Sequence, residues 1–381
     1  MEEWKEYKLS QICSLSAGGD APRNYSKFPL NDNIFPVFSN GEKDYGLYGY
    51  TNYFVIKAPA VTISARGNIG LVCYRKDNFV PIVRLITAKA KEDLISNEFL
   101  YYYLKNTYIW GDGSVQKQLT VPMISGYKVN VPPKNTQHII VNILKSLDDK
   151  IENNRMINEN LEQQAQALFK SWFVDFEPFR DQPFVESELG MIPQGWKVVE
   201  LGSVIQSIKD KVGDRTDVKV LSPITTGELV LSEDFFSKQV YSKSIAKYIL
   251  VRPNDFAYNP ARVNIGSLGM NTYNFYGCVS PVYVVLRCEE GYEQFFNFLR
   301  KRDSFKKEVF SRAIGGVRQT LSYTDFSLIK TIYPPREIVE SFNIIINKFN
   351  TIIIELKKQI EILSKLRDIL LPKLMSGEIK V

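Results

Sequence analysis

The chain contains a single histidine, His138, so neither a Ser-His-Asp relay nor a histidine-built metal site can be assembled from it. Its four cysteines, Cys13, Cys73, Cys278 and Cys288, form no CxxC pair and no even framework. That pattern fits reduced thiols in a cytoplasmic protein rather than a zinc ribbon or a disulfide scaffold. The start, Met1-Glu2-Glu3-Trp4-Lys5, lacks the basic region and apolar run of a secretory signal. The most apolar stretch, residues 344–354, is interrupted by Asn347, Lys348 and Asn350, which excludes a membrane span. Charge of either sign is also short of excess: 48 Lys and Arg against 42 Asp and Glu leave a net +6, which permits contact with a polyanion without requiring it.

Nucleotide and methyl-donor motifs are missing too. Gly111-Asp112-Gly113-Ser114 is a glycine turn without the downstream Gly-Lys-Ser/Thr of a phosphate loop, and Gly18-Gly19 is likewise a turn signal. Asn259-Pro260-Ala261-Arg262 falls short of the Asn-Pro-Pro-Tyr/Phe tetrad of adenine methyltransferases, lacking its second proline and its aromatic residue. It reads as a turn leading into Arg262. His138, on the first turn of a helix, reads as an exposed polar residue. We therefore expect no catalytic residue, no metal and no cofactor.

What the chain does have is an internal repeat. Trp4 and Leu9 are answered by Trp196 and Leu201, an offset of 196 − 4 = 192. Arg66-Gly67-Asn68-Ile69-Gly70 is answered by Arg262-Val263-Asn264-Ile265-Gly266, an offset of 262 − 66 = 196. Gly113-Ser114-Val115 with Leu119 is answered by Gly315-Gly316-Val317 with Leu321, and Pro132-Pro133 by Pro334-Pro335, at 334 − 132 = 202. A drifting offset with conserved order is what loop insertions in a shared fold produce. At 381 residues the chain is long enough for two or three folded units. Its 44% hydrophobic and 24% charged content is that of a folded protein.

Within each repeat, short β-branched or aromatic runs predict strands: Tyr53-Phe54-Val55-Ile56, Ala60-Val61-Thr62-Ile63, Leu71-Val72-Cys73-Tyr74 and Val282-Tyr283-Val284-Val285-Leu286. Residues 98–105 and 293–307 predict short helices that turn Phe99, Tyr102 and Tyr103 inward. Each double proline then opens a long amphipathic segment, a position where a missing N–H costs little. The first carries Ile140, Leu144, Leu147, Ile151, Leu161, Ala165, Leu168 and Trp172 in steps of four and three. The second carries Phe342, Ile346, Phe349, Ile353, Leu356, Ile360, Leu363, Leu370 and Leu374.

Such a stripe is the seam of a coiled coil, and about 40 residues at 1.5 Å each gives roughly 60 Å of helix that needs a partner. The simplest partner is the other helix of the same chain, paired antiparallel about a pseudo-two-fold axis with the two heads inverted at opposite ends. Asn154, Asn158 and Arg367 interrupt the stripes, and a buried Asn at such a place fixes register at some cost in stability. Ile338, Ile345, Ile352 and Leu366 lie beside the second seam and widen its apolar face, either because the heads fold back on it or because helices of a partner dock there.

The expected fold class is thus α+β: two similar α+β domains separated by two long helices forming an antiparallel coiled coil with pseudo-two-fold symmetry. The boundaries we expect are a first head at 1–133, a first long helix at 134–173, a linker at 174–195, a second head at 196–333, a second long helix at 334–375 and a tail at 376–381. Polar residues on glycine-flanked turns are candidates for reading DNA, since Arg engages guanine and Asn or Gln adenine bidentately, while Lys mostly meets phosphate. In the first head these are Ser39, Asn40, Lys43, Arg66, Asn68, Gln116, Lys117 and Gln118; in the second, Asn259, Arg262, Asn264, Arg318 and Gln319.

With these residues in view the chain resembles the specificity subunits of type I restriction-modification systems, over nearly its whole length. The resemblance is carried by Phe35-Pro36-Val37-Phe38-Ser39-Asn40-Gly41 with Gly49-Tyr50, by Gly113-Ser114-Val115-Gln116 with Leu119, and by the two double-proline helix starts. It continues through Ala167-Leu168-Phe169-Lys170-Ser171-Trp172-Phe173-Val174-Asp175-Phe176, Gly190-Met191-Ile192-Pro193-Gln194-Gly195-Trp196 and Leu370-Leu371-Pro372-Lys373-Leu374-Met375-Ser376-Gly377-Glu378-Ile379. Where the family often has Glu-Gln after the double proline, this chain has Thr136-Gln137 and Val339-Glu340, and residues 209–217 lack the turn of Gly18-Gly19.

The resemblance implies that each head is a target-recognition domain reading one half of a bipartite double-stranded DNA site. It implies that the helices set the spacing and hold two methyltransferase subunits; the widened apolar face of the second helix makes Ile338, Ile345, Ile352 and Leu366 the candidates for that docking. Restriction and translocase subunits join where the system also cuts, and the methyl donor, ATP and nuclease belong to those partners. A scaffold whose heads bind only proteins, and a methyltransferase acting alone, are the rival readings.

Overall fold

The computed structural model describes residues 3–112, 117–236, 241–242, 244–313 and 320–381. The chain divides into two compact units, residues 1–156 with 356–381 and residues 157–355. Both mix helix and sheet, as the α+β expectation requires. Among the described residues no helix is long and apolar enough to cross a membrane.

In unit 1 an antiparallel sheet runs in the order Cys13–Ala17, Ile86–Ala90, Ala60–Ile63 and Val72–Arg75. A second sheet holds Leu47–Thr51, Phe35–Phe38 and Val80–Pro81, the last two parallel. Helix Asn97–Lys105 starts at Ser96, whose hydroxyl accepts from the Phe99 amide at 3.1 Å, and buries Phe99, Leu100, Tyr102 and Leu104. Strand Lys5–Lys8 pairs with Lys128–Val131, bringing the two ends of the head together immediately before the long helix Lys134–Phe173. Tyr7 and Trp4 pack on the same core, which also takes in Ile140, Leu144, Leu371, Leu374 and Met375.

The predicted strand at Tyr53–Ile56 does not form. Only Ile56 bridges, to Phe79, because the Ala58 amide, two residues on, is taken by the Asn78 side chain at 2.9 Å and Pro59 has no N–H to continue a ladder. The predicted run from Leu71 begins one residue later, at Val72.

Unit 2 repeats the plan. Ile205–Ile208, Val284–Cys288, Phe256–Tyr258 and Leu268–Met270 form one antiparallel sheet. Leu229–Leu231, Lys219–Pro223, Gly277–Val279 and Ile249–Val251 form another, again with one parallel pair. Lys197–Glu200 pairs with Lys330–Tyr333 just ahead of the long helix Arg336–Met375. The helix predicted at 293–307 is two helices, Glu293–Leu299 and Asp303–Arg312. Arg300 between them turns its guanidinium onto the carbonyl oxygens of Gly227 and Leu268, at 2.9 and 2.7 Å, and Arg302 is extended. Strand Val284–Cys288 begins two residues past the predicted Val282, which is exposed.

Each long helix spans 40 residues. In unit 1 they run antiparallel: Asp148 meets Arg367 at 2.9 Å and, further along, Asn154 donates to Gln359 at 3.2 Å. Ile140, Leu144 and Ile151 of the first stripe are buried. In unit 2 Phe169, Phe173, Phe295 and Phe342 form one aromatic cluster with ring centroids 5.0 to 5.9 Å apart, Phe173 meeting both Phe295 and Phe342 edge to face. Gln137 ties the start of the first helix to its head, accepting from the Ser96 amide at 3.0 Å and donating to Leu94 O and Pro132 O.

Candidate nucleic-acid interface

In unit 1 the loop after Ala60–Ile63 is braced by backbone bonds from Ser64 N to Leu71 O at 2.9 Å, Gly70 N to Ser64 O at 3.0 Å and Leu119 N to Ala65 O at 2.9 Å. Unit 2 has the counterparts Asn259 N to Ser267 O at 3.2 Å and Leu321 N to Pro260 O at 3.1 Å. The offset rises from 259 − 64 = 195 to 267 − 71 = 196 across the loop. One extra residue therefore lies between shared anchor points. Gly70 and Gly266, both at positive φ, close the two loops; a Cβ on Gly70 would stand 2.9 Å from the Ile109 carbonyl oxygen.

The predicted residues of the first head fall into two groups. Arg66 is half-buried; it donates to Gln118 Oε1 at 3.1 Å, and its Nε is buried with no hydrogen-bond partner among the described residues. Asn68 and Lys117 beside it are exposed. Asn40, by contrast, uses both ends of its amide inside the protein: Oδ1 accepts from Ala65 N at 2.7 Å and Nδ2 donates to Val83 O at 2.6 Å. Ser39 is half-buried, its amide bonded to Gly46 O at 2.8 Å, and Lys43 is exposed on the following turn. Gln116 lies outside the described residues.

In the second head Arg262 is exposed and Asn264 half-buried on the turn Val263–Ile265. Asn259 Oδ1 accepts from Ala261 N at 3.1 Å. Asn259 and Arg262 line a cavity of about 390 Å³ shared with Phe235, Tyr248, Ser280 and Tyr283. Arg318 and Gln319 lie outside the described residues. Burial lowers the Arg300 guanidinium to about 10 as it ties the turn at Gly227 to the strand that begins at Leu268.

A cleft of about 940 Å³ in unit 1, walled by Tyr74, Tyr101, Tyr102, Lys105, Asp148 and Arg367, contains none of the predicted DNA residues. Burial, and then the nearby Asp148, push the Tyr102 phenol well above its usual range. Among the docking candidates, Ile338 packs against the core of unit 2 and Ile345 is half-buried, while Ile352 and Leu366 are exposed.

Sequence reading passed over one feature of this region. The turn Ile82–Leu85, closed by Leu85 N to Ile82 O at 3.0 Å, holds both central residues at positive φ, Val83 at 53° and Arg84 at 64°. That is the backbone of a primed turn, which asparagine and glycine favour. A side chain with a Cβ there costs about 1–2 kcal/mol per residue.

The family profile for the type I restriction modification DNA specificity domain matches residues 1–163. The specificity subunit of the type I restriction enzyme MjaIX from Methanocaldococcus jannaschii is 28% identical over 84% of this chain and 78% of its own length. That of HindI from Haemophilus influenzae is 24% identical with full coverage of both chains. The crystal structure of a type I restriction-modification S subunit from M. genitalium superposes with a TM-score of 0.64 at 16% identity, over 98% of this chain and 96% of that one, which supports the fold. With its repeated heads and its two 40-residue helices, the chain is similar along its whole length to specificity subunits of type I restriction enzymes, and its first 163 residues match their DNA specificity domain.

Proposed function

We propose that this chain is the non-catalytic part of a type I restriction-modification complex that chooses the DNA sequence. Each head, 1–133 and 196–333, reads one half of a bipartite, asymmetric site. The long helices, 134–173 and 334–375, with the 174–195 linker and 376–381 tail, set the spacing and receive two methyltransferase subunits. The observation that carries this reading is one loop brace used in both units beneath different side chains, Arg66 with Gln118 in one and Asn259 with Arg262 in the other. A common frame with different polar groups is what two readers of different half-sites need.

The chain works in the cytoplasm and holds no cofactor of its own. The methyl donor is bound by its methyltransferase partners, and ATP by restriction subunits where these join. Exposed Ile352 and Leu366 give the second helix apolar surface to offer a partner.

The test is to express the chain with its methyltransferase partner in a host free of other adenine methylation and to sequence the modified positions. Two unlike half-motifs separated by a fixed gap are the expected result, and a single unsplit motif would count against it. The rival scaffold reading predicts no salt-dependent binding of the assembled complex to duplex DNA.

A further inference from the structure

We infer that the turn Ile82–Leu85 is the base-reading element of the first head, with Arg84 the specificity-determining residue and Asn40 its positioning residue. This rests on the DNA-reading function proposed above and goes beyond it by naming a contact that the repeat does not pick out.

The turn is held in a backbone its own residues disfavour. Ile82 and Leu85 at its two ends are buried, and between them Val83 and Arg84 face outward, Val83 being 46% exposed. Gly19 O takes the Val83 amide at 2.8 Å and Gly18 O the Arg84 amide at 3.1 Å. Gly18 must be glycine for this, because a Cβ would stand 2.6 Å from the Pro81 carbonyl carbon. Asn40 adds the third clamp, gripping Val83 O from one side and Ala65 N, next to Arg66, from the other.

So many bonds enforcing an unfavourable conformation are consistent with a use for what the turn presents. What it presents is an exposed methyl-bearing side chain and an exposed guanidinium that has no side-chain partner among the described residues. Every other polar group that fixes the turn is occupied inside the protein. A guanidinium fork on a rigid turn suits the O6 and N7 acceptors of guanine in the major groove, and the Val83 methyls suit the methyl of a neighbouring thymine. The Gly18-Gly19 pair, a bare turn signal in the sequence, thereby gains a purpose. The second head has no such pair at 209–217.

The experiment uses the full chain assembled with its methyltransferase partners, selection from a randomised duplex library, and sequencing of methylated positions. Arg84→Ala should relax the preference at one position of one half-motif by roughly ten- to a hundredfold, leaving the other half unchanged. Arg84→Lys should fail to restore it, since a single ammonium cannot form the fork. Asn40→Ala should relax the same position while leaving the salt dependence of binding as it was, which a general loss of folding would not do.

An unchanged motif in Arg84→Ala overturns the inference. So does uniform weakening across all sequences that Arg84→Lys repairs, because that is the behaviour of a phosphate contact. An unsplit wild-type motif that still relaxes at one position in Arg84→Ala would remove the bipartite reading and leave this one standing.

Discussion

Asp148 accepts from the Arg367 guanidinium at 2.9 Å and from the Tyr102 hydroxyl at 3.0 Å, so one carboxylate joins the head of unit 1 to both of its long helices. The Arg367 side chain is only 18% exposed, too enclosed for water to replace the lost partner cheaply. Asp148→Ala should lower the unfolding free energy by about 1–3 kcal/mol, measured by urea denaturation. Asp148→Asn, which keeps an acceptor for Tyr102, should lose less. An unmoved midpoint in Asp148→Ala would mean that Asp368, 2.8 Å from Arg367, satisfies it alone. Arg367 was visible in the sequence only as a break in an apolar stripe. Its partner, 219 residues away along the chain, was not.

At the scale of the element, the long helices show how far periodicity reaches. Ile140, Leu144 and Ile151 on one stripe and Phe342, Ile346 and Ile353 on the other are buried where four-three spacing puts them. Asn154 is fully buried in that seam, and its Oδ1 has no partner among the described residues although its Nδ2 reaches Gln359. An unpaired buried acceptor is destabilising, while a seam Asn holds register. Asn154→Leu should therefore raise the thermal midpoint by a few degrees, read by calorimetry, and a fall would show that the amide is worth more to the fold than its missing bond suggests. Strands were harder to read. Tyr53-Phe54-Val55-Ile56 has strand composition, yet the Asn78 side chain and Pro59 deny it a ladder. Whether a short apolar run pairs depends on which neighbour offers an open edge.

For the whole molecule, the repeat predicts separable functions. Arg66→Ala should weaken recognition of one half-site and Arg262→Ala the other, each leaving its opposite half intact in the methylation pattern of the assembled complex. Loss of both halves from a single substitution would argue against independent heads. The extra residue between Pro260 and Gly266 supports this independence: the loop can change length between fixed anchors without disturbing the sheet that carries it.

The sequence by itself determined that the chain holds two related heads and two long helices, because those features follow from local periodicity, turn residues and internal repetition. Tertiary structure alone decided which polar residues are available. Asn40 and Arg84 illustrate the difference: a promising amide is consumed in bracing a turn, while an unremarkable Val-Arg pair is forced into a conformation that neither residue prefers. Hydrogen bonds between segments far apart in the chain make that choice, and they leave no periodic trace in the order of the residues.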